Sequence, residues 1–149
     1  MGAIARSLKL HGGLPTGTAV TIENAIDEIL NVSMIDAPDV SGGATTQTVG
    51  FQITDFAGAA KAGEFKLEMG AFDDADLGVS SVIGKLATAT KGSIVANEGT
   101  STIKVKTDAT GAFECTLTGA TGFDIFLGCA VTFGGSVLDC RSIDSVTFS

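Results

Sequence analysis

The spacing of apolar residues changes character once along the chain. From Thr21 to Asn31 the residues Ile22, Ala25, Ile26, Ile29 and Leu30 recur at i, i+3, i+4, i+7 and i+8, with Glu23, Asn24, Asp27 and Glu28 on the other side. This predicts an amphipathic helix of about three turns. Thr21 is placed to cap it, and Glu23 sits in the first turn, at the positive end of the helix dipole. A helix this short is marginal alone, so its apolar stripe needs a surface to pack on.

After the Gly and Thr cluster at 41–46 the period becomes two. Val49, Phe51 and Ile53 alternate with Gly50, Gln52 and Thr54, and Phe65, Leu67 and Met69 alternate with Lys66 and Glu68. Asp55, Ala57, Gly58 and Gly63 supply turn chemistry between them. Further strands are predicted at Val79–Ile83, Ser93–Ala96, Ile103–Thr107, Ala112–Leu117, Phe123–Phe133, Ser136–Asp139 and Asp144–Phe148. Lys104 and Lys106 give one of these a wet face, whereas Ile125–Val131 is apolar on both parities and belongs in a central or doubly covered strand. Short strands separated by frequent turn signals point to an antiparallel β-sandwich or barrel, and no helical period between them supports a parallel βαβ sheet.

Ahead of the helix, Ile4, Leu8 and Leu10 stand among Arg6, Ser7 and Lys9, and Gly12, Gly13, Pro15 and Gly17 follow. So many breakers predict an extended arm and a flexible joint. The expected organisation is an arm plus short helix over 1–47 and a β domain over 48–149.

Composition narrows the function classes. Nine Lys and Arg against 17 Asp and Glu give a net charge of −8 over 149 residues, a field that repels phosphate, so nucleic acid is not an expected partner. With 44% hydrophobic and 17% charged residues the chain has enough apolar surface to fold. No apolar run approaches the ~18 residues of a membrane span, and Met1–Gly13 lacks a signal-type stretch, so neither membrane insertion nor signal-directed secretion is expected. Three cysteines, Cys115, Cys129 and Cys140, have no metal-ligand spacing and read as buried reduced thiols of a protein made in the cytoplasm.

Catalytic chemistry finds little material. The one histidine, His11, lies beside two glycines in the arm, where a base is poorly held. No Gly-x-Ser-x-Gly or phosphate-cradling motif occurs, so neither catalytic residues nor a cofactor are expected. Asp73, Asp74 and Asp76 form the densest carboxylate group and are the candidate ligands for calcium, although they do not follow EF-hand spacing and an exposed acidic loop also accounts for them. A small calcium- or glycan-binding β module is the alternative of another class; with no Trp or Tyr, any sugar platform would rest on the nine Phe.

The segment Thr107-Asp108-Ala109-Thr110-Gly111-Ala112-Phe113-Glu114-Cys115-Thr116-Leu117 resembles the Thr-Asp-Ala-x-Gly-x-Phe strand-turn-strand of many immunoglobulin-like β-sandwiches. It follows Phe51-Gln52-Ile53-Thr54-Asp55-Phe56-Ala57-Gly58 and the acidic Asp73-Asp74-Ala75-Asp76, and a final strand Ser145-Val146-Thr147-Phe148 comes near the C-terminus. Over residues 48–149 this order resembles the small Ig-like structural proteins of tailed bacteriophages. The resemblance implies a mainly β, antiparallel Ig-like sandwich without catalysis, resident in the virion, as a capsid decoration (cement) protein or as a tail, collar or head-fibre subunit. Its expected partners are the major capsid protein, other virion subunits and further copies of itself. Contacts are expected through Ile4, Leu8 and Leu10 of the arm, by strand addition, and through Ile22, Ile26 and Ile29 of the helix, which docks on a partner or caps the sandwich.

Overall fold

The computed structural model describes residues 31–55, 57–133 and 136–149, with side chains described outside 130–143. The arm residues Ile4, Leu8 and Leu10 and the helix residues Ile22, Ile26 and Ile29 therefore lie outside the described residues. Asn31, expected to end the helix, instead opens the first strand. Among the described residues the protein is mainly β, without a helix, in two antiparallel sheets.

The strands are β1 (Asn31–Ile35), β2 (Thr46–Thr54), β3 (Lys66–Phe72), β4 (Lys85–Lys91), β5 (Ser93–Ala96), β6 (Thr102–Lys106), β7 (Ala112–Thr118), β8 (Phe123–Phe133) and β9 (Ser136–Phe148). One sheet has the order β1-β2-β7-β4 and the other β5-β6-β3-β8-β9. Residues 31–47, expected with the arm and helix, thus contribute β1 and the start of β2 to the first sheet.

Alternation decides which face each strand buries. Phe51 pairs directly with Phe113 across β2 and β7, and both rings are fully buried with centroids 5.5 Å apart at 31°. Cys115 and Leu117 continue that face as expected. Leu67, Met69, Ile103, Val105, Ile125 and Leu127 supply the facing layer from the second sheet, and all belong to one apolar cluster with the Phe pair. The doubly apolar β8 lies between β3 and β9, as its sequence required. Gly70 and Gly128 sit opposite each other on its outer parity, where the Phe72 ring lies over Gly70 and fills the place of a side chain.

Chain reversals use a few residues with specific backbone needs. Gly92, at φ +70°, carries the chain from β4 to β5; a Cβ there would stand 2.4 Å from the Lys106 carbonyl oxygen and 3.1 Å from the Phe113 ring. Gly111, at φ +81°, closes the β6–β7 connection, where a Cβ would meet the Lys61 carbonyl oxygen at 2.1 Å. Asp108 Oδ1 accepts the N–H groups of Thr110 and Ala112 and the Thr110 hydroxyl in the same turn.

Besides β1, three elements differ from the sequence expectation. Val79–Ile83 is a loop, because the buried Ser81 hydroxyl accepts the N–H groups of Ile83 and Gly84 and leaves only a single bridge from Ser80 to Phe72. β4 is absent from the expected strands because Lys-Leu-Ala-Thr-Ala-Thr-Lys has one large apolar residue, Leu86, which is fully buried. The two predicted C-terminal strands are one, β9, whose pairing with β8 absorbs two register shifts.

Phe113→Ala is expected to destabilise the fold by about 3–5 kcal/mol. Gly111→Ala is expected to cost roughly 1–2 kcal/mol from φ alone, and more from the clash with Lys61. Urea denaturation of both variants against the parent chain measures these differences.

Candidate functional site

The outer face of the second sheet carries the most distinctive surface. β3 and β6 place Lys66 opposite Lys106 and Glu68 opposite Lys104, while the alternate residues Leu67, Met69, Ile103 and Val105 point inward. Lys106 reaches Glu64 at 3.2 Å and Lys104 approaches Glu68 at 3.8 Å. Lys66 has no ion pair among the described residues and faces Lys106, whose charge Glu64 balances. Val95 of β5, 58% exposed, stands beside this row. Lys66, Leu67, Glu68, Val95, Lys104 and Val105 line an open groove of about 370 Å³.

The acidic loop follows β3 at its other end. Asp74 accepts the N–H of Gly78 on Oδ2 at 3.1 Å and that of Val79 on Oδ1 at 2.9 Å, and its backbone carbonyl accepts Leu77 N–H. Asp73 N–H bonds the Val79 carbonyl, which closes the loop. Asp76 is exposed and makes no hydrogen bond or ion pair among the described residues. The structure thus gives Asp74 to its own backbone and does not gather Asp73, Asp74 and Asp76 into a cation cage. Among the described residues no group of three or more His, Cys, Asp or Glu side chains is placed to hold a metal. Val79 and Val82 are 56% and 77% exposed in this loop, which hydropathy alone had read as a strand.

A strap joins the two sheets. Ala37 N–H donates to Asp144 Oδ2 at 3.0 Å, Thr147 N–H donates to Asp39 Oδ1 at 2.9 Å, and Val40 exchanges backbone bonds with Thr147 and Ser149. Partial burial pushes the Asp144 carboxyl up from its ordinary value, the Ala37 and Ser145 N–H groups oppose this, and the charges of Asp36 and Asp39 add to it. At Asp108 the Thr110 hydroxyl and the Ala112 N–H hold the carboxyl below its ordinary value.

The sheet edges are unequal. β4 is broken by two register shifts and holds Thr88 at φ +53°, an unusual conformation for a β-branched residue. β5 has four residues and one shift, and Val40 bridges the C-terminal end of β9. β1 pairs with β2 in unbroken register, and its other side has no strand beside it among the described residues.

Cys115 and Cys129 are buried, and burial pushes the Cys115 thiol up to about 12, so Cys115 packs as a small apolar group. Cys140 and His11 lie among side chains not described. No helix among the described residues is long and apolar enough to cross a membrane. Neither comparison, with family models or with functionally characterised proteins, gives a match.

Because the folded-state pKa of Asp144 is raised, its proton-linked stability is present at acid pH and lost as pH rises through that value. Asp144→Asn is expected to stabilise the protein near neutral pH, and the gain should vanish below about pH 4. Asp108 has the opposite sign: Asp108→Ala is expected to destabilise at neutral pH, with the difference shrinking as acid protonates the parent carboxylate. Urea midpoints of both variants across pH check the two signs. Calcium is expected to leave the thermal midpoint unchanged, while Asp74→Ala removes hydrogen-exchange protection at Gly78 and Val79.

Proposed function

We propose that this chain is a virion structural protein, a capsid decoration (cement) subunit built on an immunoglobulin-like β-sandwich. It is made in the host cytoplasm, performs no catalysis, and binds the major capsid protein through its N-terminal arm and a sheet edge. The observation that supports this most is the strand order. Constant-type immunoglobulin domains order one sheet A-B-E-D and the other C-F-G. Setting β5 and β6 aside as an inserted pair, β1-β2-β7-β4 and β3-β8-β9 follow that order, with the insertion extending the second sheet beyond β3. The resemblance carried by the turn around Asp108 and Gly111 and the strand that follows it supports the same reading.

The edge inventory favours attachment by strand addition. Bulges, shortness or the Val40 strap blunt β4, β5 and the end of β9, whereas β1 keeps a regular edge and continues directly from the arm and helix segment. A subunit used many times on a symmetric shell gains from such a backbone-directed contact, since it specifies position without a large preformed pocket.

Quantitative mass spectrometry of purified particles tests the proposal. The expected ratio to the major shell protein is near unity or a simple fraction of it. A far smaller ratio assigns the chain to a tail, collar or fibre, and absence from particles overturns the virion role. Deleting residues 1–17 is expected to leave the thermal transition intact while abolishing decoration; a truncated chain that still decorates shells removes the arm from the attachment mechanism.

A further inference from the structure

Three features meet on β3. At its start, Lys66 faces Lys106 across the β3–β6 ladder; Glu64 pairs with Lys106 and Glu68 with Lys104, whereas Lys66 has no ion pair among the described residues. Lys66, Glu68 and Lys104 line a groove that also exposes Val95. At its end begins the loop that exposes Asp76, Val79 and Val82. One end of the strand therefore offers cations around an apolar groove, and the other offers a carboxylate beside apolar side chains.

We propose that the groove lined by Lys66, Glu68, Val95 and Lys104 binds the Asp73–Val82 loop of a second copy of this chain, in a head-to-tail contact. The two surfaces cannot meet within one molecule. Six residue steps along β3 separate Lys66 from Phe72, roughly 20 Å of extended chain. The loop is pinned at its own end by Asp73 N–H to the Val79 carbonyl and Ser81 N–H to the Ala71 carbonyl. A second molecule has no such restriction. Its Asp76 supplies an anion to Lys66, and Val79 and Val82 cover Val95 and the apolar floor of the groove. The charges set register and partner choice, and the valines supply the burial that exposed ion pairs by themselves do not.

The contact uses different surfaces on its two sides, so it is heterologous and builds rings or open strings instead of closed two-fold dimers. It does not rest on the virion assignment, since it requires only the residues of β3, β5, β6 and the loop. Within an acidic chain of net charge −8, the one lysine of this face without an ion pair among the described residues, Lys66, gives self-association an orientation that the summed charge alone would oppose.

Sedimentation velocity of the full chain at high concentration, at about 0.02 M and about 0.5 M NaCl, provides the test, because exposed charge contacts weaken as the screening length shortens. The parent chain is expected to associate beyond a dimer at low salt and to dissociate at high salt. Lys66→Glu and Asp76→Lys change exposed side chains outside the apolar cluster; circular dichroism verifies that each variant folds. Each variant alone should be monomeric, since Asp then meets Glu, or Lys meets Lys. An equimolar mixture should associate again, because the loop and groove of each variant are complementary to those of the other. A parent chain that stays monomeric at low salt, single variants that associate as the parent does, or a mixture that fails to associate each overturns the proposal.

Discussion

The contact between Phe51 and Phe113 governs the rest of the structure. The two rings are a directly opposed cross-strand pair at the centre of the first sheet, and they press on the Leu, Met and Ile layer of the second. Because side chains on a strand alternate with a period of two, seating these rings inward determines the orientation of every other residue on β2 and β7; a slip by one residue would turn Cys115 and Leu117 to solvent. The neighbouring connections conform to the same pair. Gly92 lets the chain pass beside the Phe113 ring, and Gly111 lets the β6–β7 turn close against Lys61. Both positions need backbone conformations that a larger residue would strain.

Acidic residues in this protein act largely on its own backbone. Asp55 accepts from Ala57 and Ala59, Asp74 from Gly78 and Val79, Asp108 from Thr110 and Ala112, and Asp144 from Ala37 and Ser145. Each fixes a turn or a strap by satisfying N–H groups that no strand partner reaches. This accounts for much of the negative charge without a ligand: a β protein with many tight connections uses aspartate where a helical protein would use intrahelical bonds. Asp76 is outside this pattern, and its exposure beside Val79 and Val82 makes it available for an intermolecular contact.

The surfaces divide the same way. Edges that would pair indiscriminately are interrupted by the bulges of β4, the shortness of β5 and the strap at β9, while β1 stays regular. The outer face of the second sheet is graded from the lysine row at the start of β3, across the Gly70–Gly128 step, to Phe72 and Phe126 at its end. The β1 edge and the outer face of the second sheet are separate surfaces, so the two proposed contacts do not compete.

Much of the β architecture was legible in the residues alone. The period-two runs located β2, β3, β6 and β7, Ser93–Ala96 and Phe123–Phe133 coincide with β5 and β8, and Asp108 with Gly111 marked the turn that the structure contains. These signals are local: alternation shows which side chains share a face, and turn chemistry shows where the chain must reverse. What the sequence could not express depended on neighbours distant in the chain. β1 was hidden because Asn31-Val32-Ser33-Met34-Ile35 is short and becomes a strand by pairing with residues 50–54. β4 was hidden because its small residues gain their place from β7, and Val79–Ile83 was misread because Ser81 bonds the backbone instead of extending it. The acidic triplet was visible as composition, but only the fold showed that Asp74 is occupied and Asp76 free. Likewise the lysines were visible as a wet face, and only the β3–β6 register set Lys66 against Lys106. Sequence determined the periodicity and the turns, which are properties of adjacent residues; tertiary structure decided pairing, edges and charge juxtaposition, which depend on residues brought together from far along the chain.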